Sequence, residues 1–221
     1  MAITLPHDAM ASLFDAAMAN DLPTLPNYNV CPTVAVAVVT SDAGARHLRP
    51  MRWGFLPSWY KTPSGCPLLI NARSETIAEK PAFRAAGRSR RCLIPATGFY
   101  EWKRTKGEKP LPWWVTRHDQ TPMVFAGIWQ DWEQGGERLT TCAIVTTDAN
   151  AAMAPVHHRL PVILGPDDWA LWLGEKGQGA ATLMRPVADD VLRFTRVSTA
   201  VNSNRAVGPE LIEPFDAADG D

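Results

Sequence analysis

The chain has 221 residues, of which 46% are hydrophobic and 20% are charged, and its formal net charge is −1. A chain of this length and apolar content builds one compact core, so we predict a single domain over residues 1–215 and a disordered tail over 216–221. The net charge excludes a protein that binds nucleic acid through bulk positive charge, and any such binding requires a local basic patch.

The first part of the chain combines helical and strand patterns. Apolar residues recur at helical spacing from Met10 to Met18, and turn-forming residues stand at 41–44 between two apolar runs. We predict, in chain order, a helix over 8–19, a strand over 34–39, its hairpin partner over 48–53, a loop over 57–67, a short apolar run over 68–70 and a helix around 75–86.

From residue 92 onward the pattern is that of successive short strands. They are predicted at 92–96, 99–103, 113–117, 123–132, 139–146, 161–164 and 191–197. Acidic residues after Pro166 open one further helix, since they favour a first helical turn. Strands outnumber helices and do not alternate with them, so we predict an α+β fold in which curved, mainly antiparallel sheets form a barrel-like core with a few peripheral helices.

The cysteines and the first residues indicate the compartment. Cys31, Cys66, Cys92 and Cys142 are far apart and form no C-x-x-C pair, so we expect reduced core thiols and no structural zinc. The chain shows neither a signal-peptide pattern at 1–6 nor an apolar run of membrane-spanning length. We therefore predict a cytoplasmic protein without a membrane partner.

Glu101 is the first candidate for chemistry. Side chains alternate between the faces of a strand, so Glu101 shares its face with the apolar Phe99. A carboxyl group in that position could act as a general acid or base. A glutamate paired with Lys103 or Arg104 on a solvated face is an equally good interpretation.

His157 is the second candidate. It stands with His158 between Pro155 and Pro161, and a positioned imidazole suits proton transfer near neutral pH. Adjacent side chains of an extended segment point to opposite sides, so only one of the two imidazoles could serve a pocket. From spacing alone, a plain surface histidine is the commoner outcome.

A polar cluster after the apolar run 68–70 is the third candidate. Asn71 and Arg73 would stand at a sheet end, where an amide can polarise a carbonyl and an arginine can bind a phosphate. The alternative is helix capping by Ser74 or Asn71, with Arg73 paired to Glu75.

Two further segments could contact nucleic acid. Residues 51–61 place aromatic rings beside cations, as proteins that bind single strands do. A local basic run consists of Arg84, Arg88, Arg90 and Arg91. A solvated basic face is the usual explanation for such a run.

Six segments stand in the same order as the motifs of one known family. They are residues 28–32 (Y-N-x-x-P), 52–59 (W-G-L-x-P-x-W), 71–76 (N-A-R-x-E-T), 92–102 (R-C-x-x-P-x-x-G-F-Y-E-W), 146–147 (T-x-x-A) and 157–161 (H-x-R-x-P). Over about residues 3–214 the chain resembles the SOS-response-associated peptidase family, also called abasic-site-processing proteins. The ordered set is far more specific than any single motif.

The resemblance implies a reaction with damaged DNA. In the family, the initiator methionine is removed autocatalytically to expose a cysteine, whose α-amine attacks the aldehyde of an abasic site in single-stranded DNA. The cysteine thiol then closes a thiazolidine, which is a stable covalent crosslink. An α-amine has a pKa near 8, so a useful fraction is unprotonated at neutral pH. The resemblance implies an autopeptidase and a crosslinking or lyase-type activity, in a monomer that needs no metal or organic cofactor.

The resemblance also assigns roles to residues. Glu101 would be the acid and base for methionine removal and for dehydration of the carbinolamine, His157 would pass a proton to the sugar ring oxygen, and Asn71 would orient the amine. The residues expected to contact DNA are Asn29, Pro32, Trp53, Trp59, Arg73, Trp102, Thr146 and Arg159.

The chain departs from the family at its start. The family begins Met-Cys-Gly-Arg-Phe, whereas residues 1–6 read M-A-I-T-L-P and the first cysteine is Cys31. If Met1 takes the fifth family position, its amine would lie about 13–14 Å short of the pocket at ~3.3–3.6 Å per extended residue. We therefore expect a start assigned too far downstream or a shortened chain. As written, the chain is expected to bind DNA weakly and to form no thiazolidine.

Three other functions remain open at this point. The first is a catalytically inactive module that binds single-stranded nucleic acid, and the second is an unrelated hydrolase built on Glu101 and His157. The third is a purely structural or interaction protein. For that third function, Glu101→Gln would leave every activity unchanged.

Overall fold

The computed structural model of the protein describes residues 1–215. Its strands are β1 (Ala16–Met18), β2 (Ala35–Asp42), β3 (Ala45–Trp53), β4 (Asn71–Arg73), β5 (Arg91–Ala96), β6 (Phe99–Lys103), β7 (Leu111–Arg117), β8 (Met123–Gln134), β9 (Glu137–Asp148), β10 (Arg159–Pro161) and β11 (Leu192–Arg196). Its α-helices are α1 (His7–Phe14), α2 (Pro81–Ser89) and α3 (Pro166–Leu173). Single 3-10 turns stand at Ala180–Leu183, Asp189–Val191, Thr199–Asn202 and Pro209–Ile212.

Five strands close into a barrel in the order β3-β2-β5-β8-β9. The four neighbouring pairs are antiparallel, and a short parallel pairing of β3 with β9 completes the ring at Arg52↔Thr141 and Trp53↔Cys142. The barrel interior is apolar: Val36, Leu93 and Ala126 are fully buried. The predicted α+β fold with a barrel-like core is confirmed.

A smaller antiparallel sheet, in the order β11-β7-β6, carries Glu101. It has its own apolar cluster, in which Ala2, Tyr100 and Trp114 pack with Val201 and Leu211. This cluster connects the first residues of the chain with the segment that follows β11. The first residues of the chain, the smaller sheet and the segment after β11 therefore meet in one region.

Three predicted boundaries are wrong for local reasons. The first helix ends at Phe14 and not at residue 19, because Asp15 adopts a left-handed conformation (φ 50°) and β1 follows it. The helix predicted around 75–86 begins only at Pro81, since 71–73 forms β4 and a run of turns separates them. The strand predicted at 161–164 is β10, which covers Arg159–Pro161.

Two of the four cysteines are core thiols, as predicted. Cys92 and Cys142 are fully buried, and burial raises the pKa of the Cys142 thiol to about 12. Cys31 and Cys66 are partly exposed, so the prediction is wrong for them. None of the described helices has the length and apolarity needed to cross a bilayer. The tail predicted at 216–221 lies outside the described residues.

Candidate functional site

One cavity of about 370 Å³ collects most of the predicted site residues. Its walls come from both sheets, from the loop at 29–32 and from the segment at 201–204. The predicted site residues that line it are Asn29, Pro32, Trp53, Asn71, Glu101, Trp102, Thr146, His157 and Arg159. Trp59 and Arg73 are not part of its lining.

The three predicted catalytic side chains reach this cavity from three separate elements. Asn71 opens β4, Glu101 lies in the middle of β6, and His157 precedes β10. Pairing of β4 and β10 with the same strand, β9, brings Asn71 and His157 to one end of the barrel sheet, and Glu101 reaches the cavity from the smaller sheet. The Asn71 amide forms no hydrogen bond with any described residue, and it is therefore available to a ligand.

Glu101 faces the imidazole of His157. One carboxylate oxygen, Oε2, lies 3.7 Å from His157 Nδ1, and the other, Oε1, accepts a hydrogen bond of 3.1 Å from the Trp102 backbone N–H. The Glu101 side chain is 25% exposed. Among the described residues Glu101 forms no ion pair with Lys103 or Arg104, so the solvated pairing considered from the sequence is wrong.

His157 is held by the backbone around it. His157 Nδ1 lies 3.2 Å from the Arg159 N–H and 3.3 Å from the Arg159 carbonyl, so the same backbone segment can donate to an unprotonated Nδ1 or accept from a protonated one. In the protonated imidazole, Nδ1 carries an N–H that lies 3.7 Å from the Glu101 carboxylate. One proton can therefore pass between the imidazole of His157 and the carboxyl group of Glu101.

The two histidine rings do not point to opposite sides. Their centroids are 4.4 Å apart. The reason is that His157 lies in a turn and not in an extended strand, and its backbone N–H donates to the Met153 carbonyl. His158 is nevertheless absent from the cavity lining. The prediction that one imidazole faces the pocket therefore agrees with the structure, although the reason given for it is wrong.

Arg159 is engaged by carboxylates and carbonyl groups. It donates to both carboxylate oxygens of Glu75 at 2.9 and 3.0 Å, to Asp148 at 2.6 Å and to the Thr146 carbonyl at 2.9 Å. Its hydrogen bond to Glu75 lowers the pKa of that carboxyl group to about 2. The Arg73–Glu75 pair considered from the sequence does not form, and the exposed Arg73 side chain has no ion pair in the described part of the chain.

The tryptophans differ in what they offer. Trp53 is 8% exposed and donates through Nε1 to the Ile70 carbonyl at 3.1 Å, and Trp102 donates to Asn202 Oδ1 at 2.7 Å. Both therefore form fixed walls of the cavity. Trp59 is 56% exposed and contacts Tyr60 edge to face, which leaves ring surface open to solvent outside the cavity.

The segment after β11 contributes to the site, which sequence reasoning missed. Asn202 and Asn204 line the cavity, and Asn29 Nδ2 donates to the Ser203 and Ala206 carbonyls at 2.9 and 3.2 Å. Asparagine and serine in this segment are typical of an ordinary loop. No periodicity connects the segment with β6, so the sequence offers no signal for its position.

Met1 also lines the cavity. Ala2 pairs with Gly98 and Ile3 pairs with Asn27, which carries the first residues along the entrance to β6. The Met1 amine donates to the Val30 carbonyl at 3.3 Å, and burial lowers the pKa of this amine to about 5. The expectation that the first residue stops about 13–14 Å short of the pocket is therefore wrong.

The cavity combines an amide, a carboxyl group and an imidazole, which can orient a carbonyl compound and move protons to and from it. Within residues 1–215, no three His, Cys, Asp or Glu side chains are placed to hold a metal ion. The family model described as SOS response associated peptidase (SRAP) matches residues 1–204. The chain belongs to the SRAP family.

Individual relatives agree with this assignment. The SRAP chain is 38% identical over 192 residues to abasic site processing protein YoqW of Bacillus subtilis (strain 168), covering 85% of this chain and 86% of the relative. It is 34% identical to abasic site processing protein HMCES of Mus musculus, covering 86% of this chain and 65% of the relative. A crystal structure of a Bordetella bronchiseptica protein superimposes with a TM-score of 0.76 at 25% identity, covering 89% of this chain and 98% of that one.

Proposed function

We propose that this SRAP chain processes abasic sites in single-stranded DNA, with Asn71, Glu101 and His157 as the reacting groups. One observation carries the proposal. Three side chains that are far apart in sequence line one cavity, with the carboxylate of Glu101 3.7 Å from the imidazole of His157. The names of the relatives, which refer to abasic sites, support the same substrate.

The proposed chemistry uses the two proton-transfer groups in sequence. An abasic sugar is mainly a closed lactol; a protonated His157 donates a proton to the ring oxygen while the anomeric hydroxyl group releases its proton to water, and the ring opens to the aldehyde. An amine adds to the aldehyde carbon, and Glu101 protonates the hydroxyl group of the carbinolamine, which leaves as water; the nitrogen then returns its proton to the Glu101 carboxylate and an imine remains. The free amide of Asn71 orients the reacting oxygen.

The covalent step requires a cysteine whose amine and thiol react with the same carbon. We propose that the thiazolidine forms when Met-Cys precedes Ala2, so that the cysteine takes the place of Met1 at the cavity after autocatalytic removal of the methionine. The Glu101 carboxyl group assists that removal. The thiol adds to the imine carbon, its proton passes to the nitrogen, and the five-membered ring closes without any other reactant.

The single-stranded DNA would run along the walls of the cavity. Asn29, Pro32 and Thr146 would contact the sugar-phosphate backbone, and Trp53 and Trp102 would shape the groove. A third group of contacts would come from outside the cavity, where Trp59 offers a stacking surface and Arg73 an unpaired cation.

Arg159 would contact a phosphate only after a rearrangement. Its guanidinium is bound to Glu75 and Asp148, so an incoming phosphate would replace Asp148, whose side chain is 80% exposed. The protein is proposed to act as a monomer in the cytoplasm.

The test is an adduct assay with an abasic single-stranded oligonucleotide. Three versions are compared: the chain as written, the chain with Met-Cys before Ala2, and a matched control with Met-Ser before Ala2, which keeps an amine but has no thiol. We expect a heat-stable adduct with the cysteine version alone. Equal adduct in all three versions, or none in any of them, would contradict the proposal, and the second result would favour an inactive binding module.

A further inference from the structure

A second cavity, of about 410 Å³, lies between α2 and the segment that follows α3. It shares no lining residue with the first cavity. Three arginines, Arg84, Arg88 and Arg91, and a turn at 177–181 form much of its wall. No aspartate or glutamate belongs to the lining. The cavity is therefore strongly positive.

Two of the arginines have no partner within the described residues. Arg84 and Arg88 are four residues apart on α2 and therefore lie on the same face of the helix, where both are exposed. Like charges at this spacing destabilise a helix. Neither side chain forms an ion pair or a hydrogen bond with a described residue, so nothing in the described fold balances their charge.

The third arginine is fixed in place. Arg91 Nε donates to the Trp172 carbonyl, and Nη1 donates to the carbonyls of Gly87 and Arg88 at 3.2 and 2.6 Å. These bonds connect the ends of α2 and α3. They leave Nη2 without a hydrogen bond to any described residue. Burial lowers the pKa of Arg91, which adds to the energetic benefit of a nearby anion.

The turn at 177–181 supplies a second type of donor. The backbone N–H groups of Gly177, Gln178 and Gly179 donate no hydrogen bond to the described part of the chain. Gly177 and Gly179 have positive φ values of +53° and +115°, which only glycine adopts readily. Successive free N–H groups in such a turn form a concavity that binds anions.

We propose that this second cavity binds a phosphate group, carried either by a nucleic-acid strand or by a small phosphorylated molecule. Arginine guanidinium groups and free backbone N–H groups are the two donors that hold phosphate most effectively in proteins. The absence of carboxylates from the lining removes any internal competitor. The volume also leaves room for the group to which the phosphate is attached.

The first experiment titrates inorganic phosphate into the full chain and follows backbone amide resonances, with chloride at matched ionic strength as reference. The variant R84Q/R88Q is compared with the control R138Q/R193Q, which removes two exposed arginines from β9 and β11, away from the second cavity. We expect saturable shifts at 177–179 in the parent and the control, with affinity about tenfold weaker or more in R84Q/R88Q. No saturable shift, or equal affinity in R84Q/R88Q, would overturn the proposal.

The second experiment distinguishes the two sources of phosphate. Binding of an undamaged thymidine oligonucleotide and of thymidine monophosphate is measured against salt for the same variants. If a strand is the source, R84Q/R88Q binds the oligonucleotide more weakly and the slope of log affinity against log salt falls by about 1–2. If a small molecule is the source, only monophosphate binding is lost. If R84Q/R88Q binds both ligands as the control does, the site is wrong, whatever the outcome of the adduct assay.

Discussion

At the scale of single residues, the contact between Glu101 and His157 carries most of the chemistry. At 3.7 Å the carboxylate and the imidazole interact electrostatically without forming a hydrogen bond. Either side chain can therefore turn toward a bound substrate. Both side chains are between a quarter and a third exposed, so a substrate can reach them. Their roles as acid and base lead to a prediction about autoprocessing.

Glu101→Gln should block removal of the methionine. In the version with Met-Cys before Ala2, loss of the carboxyl group removes the proposed acid and base, so we expect removal to slow by about 10²–10⁴-fold. Intact-mass spectrometry of the purified protein measures the retained methionine. The matched control is Glu108→Gln, which changes an exposed glutamate in the loop after β6. Complete removal in both variants would show that Glu101 has no part in this step.

Glu75 makes stability depend on pH. Its pKa is lowered from 4.5 to about 2 by the hydrogen bond from Arg159, so the ionised form is favoured in the folded protein. The stabilisation is fully present above pH 4.5 and is lost as the pH falls toward about 2. Glu75→Gln should therefore melt at a lower temperature than the parent above pH 4.5, and the difference should shrink on acidification. A difference that stays constant down to pH 2 would contradict this account.

At the scale of elements, the segment after β11 is held against the cavity by a few polar contacts. Asn29 donates to two carbonyls of this segment, and Trp102 donates to Asn202. The apolar residues Val201 and Leu211 pack into the small cluster beneath. The segment is therefore positioned by both kinds of interaction, and Asn29 connects it to the loop at 29–32.

Asn29→Ala should loosen this segment. Loss of two hydrogen bonds is expected to cost about 1–3 kcal/mol of unfolding free energy and to speed amide hydrogen exchange at Val201 and Leu211. Hydrogen-exchange mass spectrometry and denaturant unfolding measure the two effects. The control is Asn20→Ala, an exposed asparagine without side-chain hydrogen bonds in the described chain. Equal exchange in both variants would show that Asn29 does not hold the segment.

Sequence patterns predict which helices and strands form better than they predict the residues at which each begins and ends. Most strands from 92 to 148 were predictable, because alternating or continuous apolar runs and glycine turns define them. The end of α1 was not, since helical periodicity continues to Met18 while Asp15 turns the backbone. The placement of Glu101 and His157 at one cavity followed from the family resemblance. The contribution of Asn202 depends on a packing contact that leaves no local pattern.

At the scale of the whole molecule, barrel closure brings the site together. The closing contact joins β3 to β9, two segments far apart in sequence, through only two residue pairs. β9 also holds β4 and β10, which bring Asn71 and Arg159 to the cavity. A pairing of this kind has no sequence signal. The sequence therefore predicts a barrel-like core but not which two strands close it. Because only two residue pairs close the ring, we expect tight packing inside the barrel to be essential for its stability.

Gly127→Ala tests that packing. A Cβ atom at this position of β8 would lie 2.7 Å from Cys92 Sγ and 2.8 Å from Ile94 Cδ1, both inside the barrel. We expect a loss of about 1–3 kcal/mol of unfolding free energy, measured by denaturant unfolding. Gly165→Ala is the control, because its φ of −78° is ordinary and no atom lies within 4 Å of the added carbon. If Gly127→Ala costs no more than the control, the barrel interior has room to relax.

The most direct test of the account is the single-turnover rate of crosslinking to an abasic single strand. It is measured in the version with Met-Cys before Ala2, with the methionine removed in advance by an added aminopeptidase, for Glu101→Gln, His157→Ala and the double variant. If the two side chains act as a unit at one cavity, each single variant slows the reaction by at least about 10²-fold, and the double variant is no slower than the worse single one. Single variants that stay within about twofold of the parent rate would contradict the account.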